Sequence, residues 1–132
     1  MPTGTFESFT EFELWTYGPG GGLDQLLATT GKMTFCVTDS DRVSGAPANA
    51  PTTAAYGGCG QVTQGISVGW SDTYWSTTPG QELDIRGVSN GRYAIRTTVD
   101  PENRLVESDD TNNSAVIYVE ISGNSIRRLN GA

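Results

Sequence analysis

The clearest structural pattern of the chain lies in residues 89–99, which read Ser-Asn-Gly-Arg-Tyr-Ala-Ile-Arg-Thr-Thr-Val. The dipeptide Asn90-Gly91 is a strong signal for a tight hairpin turn, because both residue types tolerate positive φ. After this turn, residues such as Tyr93 and Ile95 alternate with polar residues. A period of two predicts a β-strand with one buried face.

The same alternation recurs in several segments that are separated by Gly- and Pro-rich turns. Residues 23–28 are expected to form one short turn, and residues 39–63 a long irregular loop. The predicted strands are Phe6–Tyr17 with one irregularity, 32–38, 65–74, 82–88, 92–99 and 114–121. Short strands joined by such turns predict one all-β domain over residues 1–132, an antiparallel β-sandwich of about six to eight strands.

The charge balance argues against two classes of partner. The chain has 15 acidic and 8 basic residues and a net charge of −7. An acidic surface repels phosphate backbones and anionic lipids, so nucleic acid and membrane partners are not expected. No apolar run approaches the roughly 20 residues that span a bilayer. The first residues lack the basic and apolar regions of a signal peptide.

Histidine is absent from all 132 residues. Without imidazole the chain has no neutral nitrogen ligand for copper or zinc and no side chain that titrates unaided near neutral pH. Nucleophilic mechanisms that pair serine or cysteine with histidine are therefore excluded. Cys36 and Cys59 alone cannot fill a tetrahedral zinc site.

Three motifs in one register carry a resemblance to a known family. Residues 64–74 read Gln-Gly-Ile-Ser-Val-Gly-Trp-Ser-Asp-Thr-Tyr, residues 31–36 read Gly-Lys-Met-Thr-Phe-Cys, and residues 107–113 read Glu-Ser-Asp-Asp-Thr-Asn-Asn. Together with further matches along most of the chain, they resemble the catalytic domain of the lysyl oxidase family, particularly its bacterial members.

The resemblance implies a copper amine oxidase that converts the ε-amine of peptidyl lysine to an aldehyde. Its quinone cofactor forms from a lysine and a tyrosine, which correspond to Lys32 and Tyr74. The family's copper-binding histidines correspond to Met1, Thr3 and Thr5, and none of these can replace imidazole. We therefore expect no copper, no quinone and no oxidase activity. Without a quinone, Lys32 is interpreted as a lysine at the end of a strand, and Tyr74 as an aromatic residue packed over a sheet.

The resemblance also implies a calcium site in the segment 107–113. Glu107, Asp109, Asn112 and Asn113 offer the hard oxygen ligands that Ca²⁺ prefers. The alternative is an Asx-rich turn whose side chains cap backbone amides. No other cofactor is expected.

Cys36 and Cys59 flank most of the long loop, in a region where the family also places disulfides. A bridge would close 22 intervening residues and would stabilise the chain by about 3 kcal/mol. Two buried free thiols are the alternative, as is usual in cytoplasm. The bridge is favoured because the loop contains little else to hold it.

These features predict a non-catalytic structural or interaction module on a lysyl-oxidase-like scaffold. A disulfide, an extracellular family and no export signal are compatible with a phage virion surface protein, either a capsid decoration or a tail component. Its partners would be the capsid or tail assembly, or its own copies. The alternatives are an inactive or truncated copper-dependent protein-lysine 6-oxidase, and an extracellular adhesion domain stiffened by calcium.

Overall fold

The computed structural model of the chain describes residues 6–59 and 63–132. Within these ranges, eight strands form antiparallel pairs in two sheets. The strands are β1 Phe6–Tyr17, β2 Leu23–Thr29, β3 Met33–Phe35, β4 Asp41–Arg42, β5 Trp70–Ser71, β6 Gly91–Val99, β7 Ser114–Ser122 and β8 Ser125–Arg128. The all-β antiparallel class and the strand number are confirmed; the assignment of residues 1–132 to one domain stays a prediction.

The main sheet has six strands in the order β2-β1-β6-β7-β8, and β3 also pairs with β1. The β6–β7 ladder runs without a register shift from Gly91↔Ile121 to Thr98↔Ser114. The long strand β1 is irregular, as predicted: Ser8 has a φ of +56°, and the register with β3 shifts between Phe6 and Thr10. The predicted irregularity is therefore confirmed.

The core lies on one face of this sheet. Leu14, Tyr93, Val119 and Ile121 are buried and in mutual contact. Each such side chain contributes about 1.5–3 kcal/mol relative to its exposed state. The residues that cover them from outside the strands are Leu83, Ile85 and Val88. The layer that covers this core is therefore an irregular segment. The second sheet contains only the two-residue strands β4 and β5.

Three predicted strands are wrong over most of their length. Of residues 32–38, only Met33–Phe35 form a strand. Residues 82–88 form no strand, because the Val88 amide donates to the Ile85 carbonyl and Gly87 has a φ of +82°. Of residues 65–74, only Trp70–Ser71 pair as a strand. Gly69 at φ +75° turns the chain directly before that pair. Alternation in residues 82–88 reflects burial of Leu83, Ile85 and Val88 against the core, which irregular backbone can also provide. In residues 65–74 the apolar residues Ile66 and Val68 are exposed.

The expected short turn at residues 23–28 is also wrong, because Leu23–Thr29 forms β2 and pairs with β1. The preceding glycine-rich turn makes this hairpin possible. Gly21 has a φ of +87°, and a Cβ there would lie 2.6 Å from the Tyr118 hydroxyl. Because that hydroxyl also donates to the Gly21 carbonyl at 2.9 Å, the turn is anchored to the neighbouring part of the sheet.

Cys36 and Cys59 form a disulfide with a Cα–Cα distance of 5.5 Å. The bridge is confirmed, and it joins the end of β3 to the far part of the long loop. In the portion of the chain that the structure covers, no helix has the length and apolar character needed to span a membrane.

Candidate functional site

Tyr74 lies three residues beyond β5 and packs against two aromatic rings. Its ring centroid is 4.5 Å from that of Phe35 and 6.5 Å from that of Phe9. Its hydroxyl lies 3.1 Å from Asp72 Oδ2 and also within hydrogen-bonding reach of the Cys36 carbonyl oxygen. Tyr74 therefore links the β5 region to the disulfide and to β3.

Asp72 holds this region together through three contacts. Besides the Tyr74 hydroxyl, its carboxylate accepts from the Thr38 amide at 3.4 Å and from Ser40 Oγ at 3.2 Å. Burial raises the pKa of Asp72 above its ordinary value, and the Asp39 charge adds to this; the hydrogen bonds oppose the rise without cancelling it.

The phenol of Tyr74 is correspondingly hard to ionise. Burial raises the pKa of Tyr74 well above its usual range, and the adjacent Asp72 carboxylate raises it further through charge repulsion and the hydrogen bond. The neutral phenol is therefore the stable form, and it acts as a hydrogen-bond donor.

A cavity of about 280 Å³ adjoins Tyr74. Its walls are mainly apolar, and its polar groups include the Asp72 carboxylate and the Gln81 amide. The apolar residues that line it are Phe9, Phe12, Phe35, Ile66 and Val99.

Lys32 lies directly before β3 and is exposed. Its ammonium group is 3.2 Å from Glu102 Oε1, while Glu102 Oε2 is 2.5 Å from the Arg104 guanidinium. The two residues that the resemblance associates with a quinone thus have different partners in this structure: Lys32 pairs with Glu102, and Tyr74 with Asp72.

Asp39 organises the long loop, and the sequence analysis missed it. The residue is only 7% exposed. Its carboxylate accepts from the amides of Ala55 at 2.9 Å, Tyr56 at 3.2 Å and Ser67 at 2.7 Å, and from the Ser67 hydroxyl at 2.7 Å. Burial alone would raise the pKa of Asp39, but these hydrogen bonds outweigh it and lower the pKa. An aspartate opening an irregular segment was the available signal, because such residues often accept from loop amides.

The calcium candidates form local hydrogen bonds. Asp109 Oδ1 accepts from the Thr111 amide at 2.9 Å and from its hydroxyl at 2.5 Å, and these two bonds lower the pKa of Asp109. Glu107 Oε1 accepts from Asn113 Nδ2 at 2.9 Å, while Asn112 is exposed. Across residues 6–59 and 63–132, no group of three or more His, Cys, Asp or Glu side chains could hold a metal ion. The calcium site stays an untested implication of the resemblance, and its alternative, an Asx-rich turn, accounts for these local hydrogen bonds.

The donor set does not fit the copper ion that the resemblance implies. The positions that match the copper ligands, Met1, Thr3 and Thr5, lie outside the described residues. The sequence contains no histidine, and Cys36 and Cys59 are bonded to each other. Hydroxyl and carboxylate oxygens are poor substitutes for imidazole at Cu(II).

A structural role for Tyr74 predicts a modest loss on its replacement. Tyr74→Phe is expected to lower the free energy of unfolding by about 1 kcal/mol, because the ring stays while one hydrogen bond is lost. Urea denaturation followed by fluorescence measures this. Tyr17→Phe is the matched control, since the Tyr17 hydroxyl has no hydrogen-bond partner among the described residues. Equal losses for both variants would contradict the assigned role of the Tyr74 hydroxyl.

The described residues thus form antiparallel β-sheets with a disulfide-tethered loop beside a half-buried Tyr–Asp pair. A family model described as Lysyl oxidase matches residues 4–131. The chain is 29% identical over 126 residues to human lysyl oxidase homolog 1, covering 96% of this chain and 20% of that protein. It is 31% identical over 109 residues to mouse lysyl oxidase homolog 4, covering 83% and 13%. Human protein-lysine 6-oxidase is 32% identical over 97 residues, covering 70% and 20%.

The chain belongs to the lysyl oxidase family, as its motifs predicted. It spans about a fifth of the length of human lysyl oxidase homolog 1 and of human protein-lysine 6-oxidase.

Proposed function

We propose that this lysyl oxidase family domain is a non-catalytic structural or interaction module in which Lys32 and Tyr74 stay unmodified. The observation that carries the proposal is the donor set: the chain has no imidazole, and both of its thiols are used in a disulfide. Copper has no suitable nitrogen or thiolate ligands here. The scaffold would then serve for architecture or attachment.

The surroundings of Lys32 and Tyr74 support this proposal. A phenol gives up an electron most readily as phenolate, whereas burial and Asp72 raise the pKa of Tyr74 and keep it protonated. The Lys32 amine is an ammonium ion paired with Glu102, and an ammonium has no lone pair for attack on a ring. Both groups therefore have stable structural partners.

Metal loading and peptide mapping test the proposal. The chain is incubated with Cu(II), dialysed and analysed for bound copper, and peptides that contain Lys32 and Tyr74 are then examined by mass spectrometry. We expect no stoichiometric copper and two unmodified peptides, as in the Tyr74→Phe control. Stoichiometric copper, or a Lys32–Tyr74 cross-link that is absent from the control, would overturn the proposal.

The second candidate is a copper-dependent protein-lysine 6-oxidase in inactive or truncated form. It is favoured by the 32% identity to human protein-lysine 6-oxidase and by the presence of Lys32 and Tyr74, the two residues that the resemblance associates with the quinone. Peroxide release from a primary amine distinguishes the two. A catalytic rate that copper raises and Tyr74→Phe abolishes would establish the oxidase.

The setting that we propose is extracellular, on the surface of a phage virion as a capsid decoration or tail component. The Cys36–Cys59 disulfide supports an oxidising environment. The net charge of −7 supports protein partners, in a capsid or tail assembly or its own copies, over nucleic acid or membranes. Mass spectrometry of purified phage particles is expected to detect the chain in stoichiometric amounts relative to the capsid or tail proteins. Its absence from them would contradict this setting.

Calcium is expected to leave the thermal stability of the module unchanged. The carboxylates of Asp109 and Glu107 are already hydrogen-bonded within the segment, to Thr111 and Asn113. Melting temperatures are compared in millimolar CaCl₂ and in excess chelator, with Asp109→Asn as the control variant. The calcium-stiffened adhesion domain would be favoured if calcium raises the melting temperature, the chelator reverses this increase and Asp109→Asn abolishes it. The reason is that ligand binding to the native state raises stability.

A further inference from the structure

We infer that Asn130 is a site of spontaneous deamidation, at which the Asn130–Gly131 linkage converts through a succinimide ring to an aspartyl or isoaspartyl linkage. The chain contains two Asn-Gly pairs, Asn90-Gly91 and Asn130-Gly131, and the structure distinguishes between them. The inference goes beyond the proposed function and does not depend on it.

The reaction needs a free asparagine side chain and a main chain that can rearrange. The main-chain nitrogen of the next residue attacks the side-chain carbonyl carbon, a C–N bond closes a five-membered ring, and ammonia leaves with the proton of that nitrogen. Water then opens the ring at one of its two carbonyls, which gives aspartate or isoaspartate. Glycine is the most permissive next residue, because it has no Cβ to crowd the attacking nitrogen.

The pair Asn130-Gly131 meets these requirements. Both residues are exposed, and neither has a hydrogen-bond partner among the residues that the structure describes. A Cβ added at Gly131 would meet no atom within 4 Å, so there is open space around the attacking nitrogen. The last anchored residue before the pair is Leu129, whose amide donates to the Tyr118 carbonyl at 2.8 Å. Ring closure at Asn130 therefore breaks no contact of the sheet.

The pair Asn90-Gly91 is held by the fold. The side-chain oxygen of Asn90 accepts from the Gly123 amide at 2.9 Å, which fixes the carboxamide across the turn between β7 and β8. Gly91 pairs with Ile121 in the β6–β7 ladder, and a Cβ added at Gly91 would lie 3.5 Å from the Tyr93 hydroxyl. Ring closure at Asn90 therefore requires local opening of this end of the sheet.

Deamidation at Asn130 changes the charge of the surface beside β8. It replaces a neutral carboxamide by a carboxylate, so the net charge of −7 becomes more negative by one unit. The new carboxylate is close in sequence to Arg127 and Arg128, which are exposed. It therefore offsets part of the positive charge at this edge of the main sheet.

Peptide mapping of aged protein tests the inference. The folded chain is incubated at mildly alkaline pH, and deamidated and isoaspartyl peptides are quantified by mass spectrometry over time. We expect Asn130 to react at least about tenfold faster than Asn90, because Asn90 must first lose its bond to Gly123. Gly131→Ala is the matched control and should slow the reaction at Asn130 while leaving Asn90 unchanged. An unmodified Asn130, or equal rates at the two sites, would overturn the inference.

The same measurement in concentrated urea separates the fold from the local sequence. Unfolding removes the bond between Asn90 and Gly123 and the pairing of Gly91, so the rates at the two Asn-Gly pairs should converge. A difference that persists in the unfolded chain would show that the fold does not select Asn130, and would also overturn the inference.

Discussion

Replacing Asp39 by alanine is expected to lower the free energy of unfolding by about 3 kcal/mol. The substitution removes four hydrogen bonds to a buried carboxylate, and it leaves the amides of Ala55, Tyr56 and Ser67 without their acceptor. A buried donor without a partner costs about 1–3 kcal/mol. Chemical denaturation at pH 7 measures the loss, and Asp24→Ala on the exposed strand β2 is the matched control.

The same carboxylate predicts an acid-sensitive component of stability. The pKa of Asp39 is lower in the folded chain than its ordinary value of 3.8. Its contribution is therefore fully present above pH 3.8 and is lost as the pH falls through the folded-state pKa. Asp39→Asn removes this contribution, so the difference in stability between the native sequence and the variant should shrink on acidification. A difference that is constant from pH 7 to pH 2 would contradict the assigned role.

Periodicity predicted the three longest strands, β1, β6 and β7. They are adjacent strands of one sheet with a core on one face, and such a position produces a period of two. The same rule failed for residues 82–88, where Leu83, Ile85 and Val88 cover that core from irregular backbone. Alternation reports burial, and a single sequence does not say whether a sheet or a loop provides it.

The β2 hairpin was missed for a different physical reason. The segment Leu23–Thr29 is rich in residues with little preference for strands, and most of it is exposed. Its conformation comes from pairing with β1 and from the anchored turn at Gly21. Both depend on distant partners such as Tyr118, which local patterns cannot reveal.

The candidate site was likewise predicted only in part from the sequence. Motif matching identified Tyr74, Lys32 and the two cysteines, because these residues lie in recognisable stretches. The partners that determine their chemistry were not identified, since the Lys32–Glu102 contact joins residues 70 positions apart. The position of Asp39 at the start of the loop was a local signal, but its partner Ser67 lies 28 positions away and has none.

Lys32 and Tyr74 therefore carry two separable kinds of information. They lie in motifs that carry the resemblance to the family, whereas their contacts describe what the side chains do in this chain. Tyr74 connects Asp72 to the Cys36 carbonyl, and Lys32 joins β3 to Glu102. Such contacts give a reason to retain both residues even where no quinone forms.

Removing the disulfide is the second large perturbation. Replacing both Cys36 and Cys59 by serine is expected to lower the free energy of unfolding by about 3 kcal/mol, because the bridge closes a loop with a sequence separation of 23 residues. Denaturation of the native sequence with and without reductant measures the same quantity. The double-serine variant is the control, and its midpoint should not respond to reductant. Identical midpoints for the native sequence in both conditions would contradict the prediction.

The disulfide and Asp39 restrain the same loop, so their effects should not add. Asp39 binds the amides of Ala55 and Tyr56, which lie only three or four residues before Cys59. Once the bridge is gone, the loop end can separate from Asp39, and less is then lost on replacing the aspartate. The combined Asp39→Ala and double-serine variant is therefore expected to lose less than the sum of the two separate losses, with a coupling of about 1 kcal/mol. Strict additivity in this double-mutant cycle would show that the two restraints act on independent parts of the loop.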